Sequence, residues 1–167
     1  MSPSVPLGPV SEEVTRLLHS MGGEPTDLYR ALANNEEVLT VWVEMAWGLR
    51  NTATTSRAVR ELMILRSAQL QGADYQWSDH TAMALAAGVS PDQLAALESW
   101  NRSDLFDDPT KAALALMEEM LVGHVSDRAL EELAAVFDAM QRVELIVTAG
   151  FYCMVPRVLD ALRLQPA

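Results

Sequence analysis

Cysteine is nearly absent from this 167-residue chain, where Cys153 stands alone. An intrachain disulfide, a CxxC redox pair and a cysteine zinc site are therefore excluded, because each needs at least two thiols. Positive charge is also scarce, with 12 Lys and Arg against 23 Asp and Glu and a net charge of −11. So acidic a balance argues against nucleic acid or an anionic membrane as partner, because phosphate binding needs a basic face. Half the residues are apolar, yet no uninterrupted run approaches the ~20 residues of a membrane helix. The longest, LIVTAGFYCMV (Leu145 to Val155), reads as a buried core helix. The opening MSPSVPLGPVSEE has neither the basic stretch nor the apolar run of a signal peptide. Its Pro3, Pro6 and Pro9 predict an extended arm over residues 1–10, followed by one domain over 11–167. A cytoplasmic location is the expectation.

Strand signals are sparse, and helix signals fill the space. Alanine, leucine, methionine and glutamate are abundant, and apolar residues recur at three- and four-residue steps, so the fold is expected to be all-α. Helices are predicted over Ser11 to Met21, Pro25 to Asn34, Glu36 to Leu49, Ser56 to Leu70 and Asp74 to Ala87. SPDQ (Ser90 to Gln93) has the form of a capping box opening a helix to about Trp100. Three more are predicted from Asp108, over Ser126 to Asp138 and over Met140 to Leu162. In the last, Pro156 cannot donate to the Tyr152 carbonyl and should kink the helix. VRELMILR (Val59 to Arg66) echoes RVELIVTA (Arg142 to Ala149) and sets Glu61 against Glu144. The echo fits a degenerate internal helical repeat, and equally the general likeness of two amphipathic helices.

The densest chemistry lies in RELMILRSAQLQGADYQWSDH, Arg60 to His80. Helical spacing puts Ala73, Gln76, Trp77, His80 and Ala84 on one stripe, with Tyr75 and Asp79 on an adjacent face. Glu61 shares a stripe of the preceding helix with Arg57, Leu65 and Ala68. Gly72 breaks the two helices into an antiparallel hairpin. Glu61 lies eleven residues before that glycine and His80 eight after it. At ~1.5 Å rise per residue the offset is only about 4–5 Å, so the two side chains can meet. A carboxylate beside an imidazole orients the ring, selects its tautomer and raises its basicity, as a general acid/base needs. The plainer alternative pairs Glu61 with Arg57 at the surface and leaves His80 a hydrogen-bonded core histidine. Pattern alone favours the plainer one.

Other residues carry less. Arg57, Arg60 and Arg66 can bind a substrate carboxylate, or serve as solvated helix charges. His19 and His124 sit at helix ends, where the helix dipole favours them. Three histidines so scattered give no HExxH or paired spacing, so neither a metal nor a cofactor is expected. Trp42, Trp47 and the methionines suit core or subunit contacts. Cys153, in the apolar FYCM, behaves as a small buried hydrophobe.

RELMILRSAQLQGADYQWSDHTAMALAAGVSPDQLAAL resembles the carboxymuconolactone decarboxylase family, whose superfamily includes the alkylhydroperoxidase AhpD. The resemblance runs on through FDDPTKAALALMEEML and VELIVTAGFYCMVPRVLDAL, and back to about Asp27. The AhpD branch has a glutamate, a CxxC pair and a histidine four residues after the second cysteine. Here Glu61 and His80 take the outer places, and Ala73 and Gln76 stand where the cysteines would be. A thiol peroxidase of that kind is excluded, because peroxide attack and its resolution both need a thiolate. The resemblance therefore points to the cysteine-free, decarboxylase-like branch, in which tyrosine-x-tryptophan-x-x-histidine appears here as Tyr75, Trp77 and His80. It implies an AhpD-like subunit assembling as trimers or hexamers. It also implies cofactor-free lyase or isomerase chemistry (decarboxylation, isomerisation or cyclisation) on a small carboxylated or enolisable compound. In that reading His80 is the acid/base, Glu61 orients it, and Tyr75 donates to the developing oxyanion. Gln76 binds the substrate oxygen, Trp77 walls the pocket and Arg57 anchors a carboxylate. The competing expectation is a non-catalytic helical oligomer that binds a small molecule or scaffolds a partner.

Overall fold

The computed structural model describes residues 2–20 and 22–165. Met1 and Ala167, the ends of the expected arm and domain, and Met21, the expected end of the first helix, lie outside them. Among the described residues the order is α1 (Glu12–Ser20), α2 (Asp27–Leu32), α3 (Glu36–Thr52), α4 (Arg57–Gln71), α5 (Asp74–Ala86) and α6 (Pro91–Ala96). A 3-10 helix (Leu97–Arg102) follows, then α7 (Asp108–Val122), α8 (Asp127–Val136) and α9 (Ala139–Leu162). The fold is all-α, and its boundaries follow local capping chemistry. Asn35, Ser90, Asp107 and Ser126 each accept a backbone N–H of the first turn, and Ser90 with Gln93 forms the full capping box. The stretch after Ala96 tightens to 3-10 geometry where an α-helix to Trp100 was expected, with Ser99 leaving the helical region. The chain over Arg50 to Thr52, expected as a break, continues α3.

The chain divides into two compact units, residues 1–53 with 157–165, and residues 54–156. In the first, Val14, Leu18, Leu39, Val43 and Trp47 form the core. A Cβ at Gly23 would run into the Trp47 ring, so that position admits only glycine. The arm is bonded to this unit: Ser4 N–H donates to the Leu162 carbonyl at 2.9 Å and Gly8 N–H to that of Arg30 at 3.0 Å.

In the second unit α4 is the central element, packed against both α5 and α7. Val59 to Ala68 are all buried, so this helix is enclosed on every side, and its polar residues must find partners inside the protein. Arg66 does so through Glu118, whose carboxylate receives Arg66 Nε and Trp100 Nε1, each at 2.7 Å. Arg66 is thereby a structural cation. Val59, Met63, Leu116, Met117, Leu133, Leu145 and Ala149 make one apolar cluster, with Cys153 packed at its edge. Leu62, Leu65, Ala84, Leu97 and Leu114 make a second, against which Trp77 packs. By length and composition alone α9 passes as a membrane span, yet Leu145, Ala149, Phe151 and Val155 on it are buried.

Candidate functional site: a buried glutamate–histidine pair

Gly72 builds the turn that makes the site. It closes α4 in the left-handed region at φ 62°, which an L side chain adopts only with strain, and Ala73 N–H reaches back to the Ala68 carbonyl at 2.9 Å. The chain reverses at once into α5, and α5 lies along α4. Glu61 and His80 meet across this hairpin, with His80 Nδ1 2.7 Å from Glu61 Oε2. The glutamate side chain is wholly buried and the histidine 12% exposed. The other carboxylate oxygen, Oε1, accepts from Arg57 Nη2 one turn earlier on α4, and the Arg57 side chain is 28% exposed. Met83 Sδ lies 4.0 Å from the same nitrogen.

Burial acts to raise the Glu61 carboxyl pKa. The hydrogen bond and charge of His80, then those of Arg57, outweigh it and bring it below the ordinary carboxylate value. An ionised carboxylate only accepts hydrogen bonds, so the proton between the two groups belongs to His80 Nδ1. In the neutral ring Nε2 then carries the lone pair and is the nitrogen able to take a proton. Arg60, buried beside this group, is lowered by burial and by Arg57, against the pull of Glu144, Glu61 and Tyr152.

The remaining expected residues divide. Gln76 is 1% exposed, and its amide N–H is committed to the Ile64 carbonyl at 2.8 Å, which ties α5 to α4 one turn from His80. Its Oε1 is buried without a protein partner. Trp77 packs into the apolar cluster around Leu62 and Leu65. Tyr75 lies five residues before His80, which on a helix is a different face. The tyrosine that meets the imidazole is Tyr152 of α9, edge-to-face at 5.2 Å between ring centres and 89° between planes. Sequence reasoning missed it. Its only signal was GFYCMV, a polar aromatic inside an apolar run.

An all-α unit with a buried glutamate–histidine pair in a helical hairpin defines the class, and comparison with known proteins gives it a family. The profile of the carboxymuconolactone decarboxylase family matches residues 36–119. The chain belongs to that family. The uncharacterised protein YdfG of Bacillus subtilis (strain 168) is 28% identical over 98 residues, which are 57% of this chain and 67% of that protein. Among solved structures, the debrominase Bmp8 bound to 2,3,4-tribromopyrrole superposes with a TM-score of 0.83 at 16% identity, over 100% of this chain and 94% of Bmp8. An uncharacterised peroxidase-related protein from Silicibacter sp. TM1040 gives 0.82 at 19% identity, over 98% and 90% of the two chains. A protein of unknown function from Agrobacterium tumefaciens, described as a putative antioxidant defence protein AhpD, gives 0.72 at 18%, over 81% and 94%. At such identities the structures establish the shared AhpD-like fold. The single cysteine sets this chain apart from a dithiol mechanism.

Proposed function

We propose that the protein is a cofactor-independent acid/base enzyme of the decarboxylase-like branch, acting on a small carboxylated or enolisable compound. The observation that carries this reading is the 2.7 Å contact of His80 Nδ1 with the buried Glu61, which leaves Nε2 as the working nitrogen. In the decarboxylating form, the bond from carbon to the carboxylate breaks, CO₂ leaves, and the electron pair passes onto the conjugated carbonyl, which becomes a dienolate. His80, protonated at Nε2, returns a proton to carbon and is recharged from water. Glu61 keeps the imidazolium oriented and electrostatically favoured. In an isomerisation His80 first removes a proton and then delivers it elsewhere. Arg57 is assigned the attraction of a substrate carboxylate, which its partial exposure beside Glu61 supports. Gln76, whose Oε1 is buried without a protein partner, is assigned the binding amide and Trp77 the pocket wall, while Tyr75, on a different face of α5, keeps no oxyanion role. Bmp8, a debrominase that binds a tribromopyrrole, lends support to small-molecule chemistry on this fold.

We assign the protein to the cytoplasm and to a homo-oligomer, trimer or hexamer. The apolar stripe Met140, Val143, Val147 and Met154, exposed along one face of α9, supports assembly. Light scattering on the purified protein tests it, and a monomer counts against it. The test of the chemistry is proton exchange in D₂O with a panel of small β-keto and dienolic acids, followed by NMR together with CO₂ release. His80→Asn should lower the rate roughly 10²–10⁴-fold, the usual contribution of a general acid/base. Full activity in both His80→Asn and Glu61→Gln would remove these residues from the mechanism.

A second reading rests on the burial of the pair. Glu61 is fully enclosed and His80 12% exposed, as in a structural ion pair holding together a non-catalytic binding or scaffold oligomer. It predicts that His80→Asn destabilises the protein and that no compound in the panel exchanges protons faster with protein than without.

A further inference from the structure

Pro156 lies inside α9 and has no N–H, so the Tyr152 carbonyl, four residues earlier, loses its helical donor. An unpaired carbonyl within a protein is costly, and this one is not left unpaired. Ser67 Oγ donates to it at 2.8 Å and Gln71 Nε2 at 3.2 Å, while Gln71 Nε2 also lies 2.9 Å from Ser67 Oγ. Ser67 is fully buried. Both residues stand one turn apart on α4, the helix that presents Glu61. The side chain of the same Tyr152 stands edge-to-face on His80, and Phe151 packs edge-on against Tyr152 at 5.3 Å.

One hydrogen bond does not fix an imidazole. The torsion next to the ring is broad and nearly two-fold, so with Glu61 alone a flipped ring, its Nδ1 turned off the carboxylate and its tautomer no longer held, competes with the bonded one. A perpendicular aromatic wall removes that alternative. We propose that Ser67 and Gln71 are positioning residues of the site: through the carbonyl that Pro156 leaves open, they fix Tyr152 against His80 and so hold the imidazole in its Nδ1–H tautomer on Glu61. This deepens the acid/base reading, and its readout requires no turnover.

The test is ¹⁵N NMR of the full-length protein with labelled histidine, at about pH 8, above the ordinary imidazole range. His80→Asn identifies the His80 signals, and His19 and His124 serve as internal controls. Wild type should show a protonated Nδ1 and an unprotonated Nε2, well separated in shift. In Ser67→Ala/Gln71→Met that separation should fall by roughly half as the ring samples both tautomers. Adding Pro156→Ala should restore it, because the new backbone N–H at 156 takes the Tyr152 carbonyl. Tyr152→Leu should reproduce the loss and Tyr152→Phe, which keeps the ring, should not. This last pair keeps the proposal falsifiable even if the α4 variants fail to fold. An unchanged His80 pattern in the α4 double variant, or in Tyr152→Leu, would leave Ser67 and Gln71 as mere compensation for the proline. Failure of Pro156→Ala to restore the pattern would equally overturn the proposal. If instead His80→Asn retained turnover, the catalytic reading would fall while these signals stayed as described.

Discussion

Glu61 and Glu144 hold the same place in the two similar stretches VRELMILR and RVELIVTA, yet the protein surrounds them differently. Glu61 is enclosed, and side chains answer it: His80 on one oxygen and Arg57 on the other. Glu144 is half-buried and accepts mainly from backbone, with the N–H groups of Thr54 and Thr55 at 2.9 to 3.0 Å and the Thr54 hydroxyl at 3.1 Å. Burial pushes both carboxyls up and hydrogen bonding pulls both below the ordinary value, but the partners differ in kind. A backbone N–H cannot change its protonation, whereas an imidazole can. Glu144 therefore pins the entry to α4, and Glu61 is coupled to a titrating group. Similar stretches are answered by backbone in one place and by ionisable side chains in the other.

The largest separation should appear on deletion. Glu61→Ala leaves a buried imidazole and a guanidinium without their acceptor, and should cost about 3 kcal/mol in urea unfolding. Glu144→Ala removes hydrogen bonds at a position water can reach, and about 1 kcal/mol is expected. Equal losses would erase the distinction. Next comes Arg57→Met, expected to cost about 1 kcal/mol, since its guanidinium is partly solvated and His80 still holds Glu61. The smallest effect is in the pH profile. Both folded carboxyls lie below the ordinary glutamate value, so each contributes stability above that pH. The contribution fades as pH falls from there through the folded value. Glu61→Gln should thus be further from wild type at pH 7 than at about pH 3, and Glu144→Gln should show the same sign with a smaller gap. A gap that grows on acidification would contradict the depressed carboxyl.

Much of this was legible in the chain. The capping box at Ser90, the stop at Gly72 and the apolar periods announce the helices, because each is an interaction over three or four residues. The contact of Glu61 with His80 was also readable, since a short hairpin turns residue counting into distance. Arg66 was not: its commitment to Glu118 depends on α7 lying against α4. Gln76 and Trp77 share a stripe with His80, but only packing shows that one is tied to Ile64 and the other sunk among leucines.

By itself the sequence determined the all-α class, the hairpin that brings Glu61 within reach of His80 and, through its single cysteine, the absence of a thiol pair. All of these follow from local periodicity, from turn chemistry or from which atoms exist. Tertiary structure alone decided which tyrosine meets the histidine. Tyr75 was the nearer in sequence, and Tyr152 is the one in contact. The physical reason is that α9 reaches the hairpin by packing and by one carbonyl which, lacking its donor at Pro156, turns to Ser67 and Gln71.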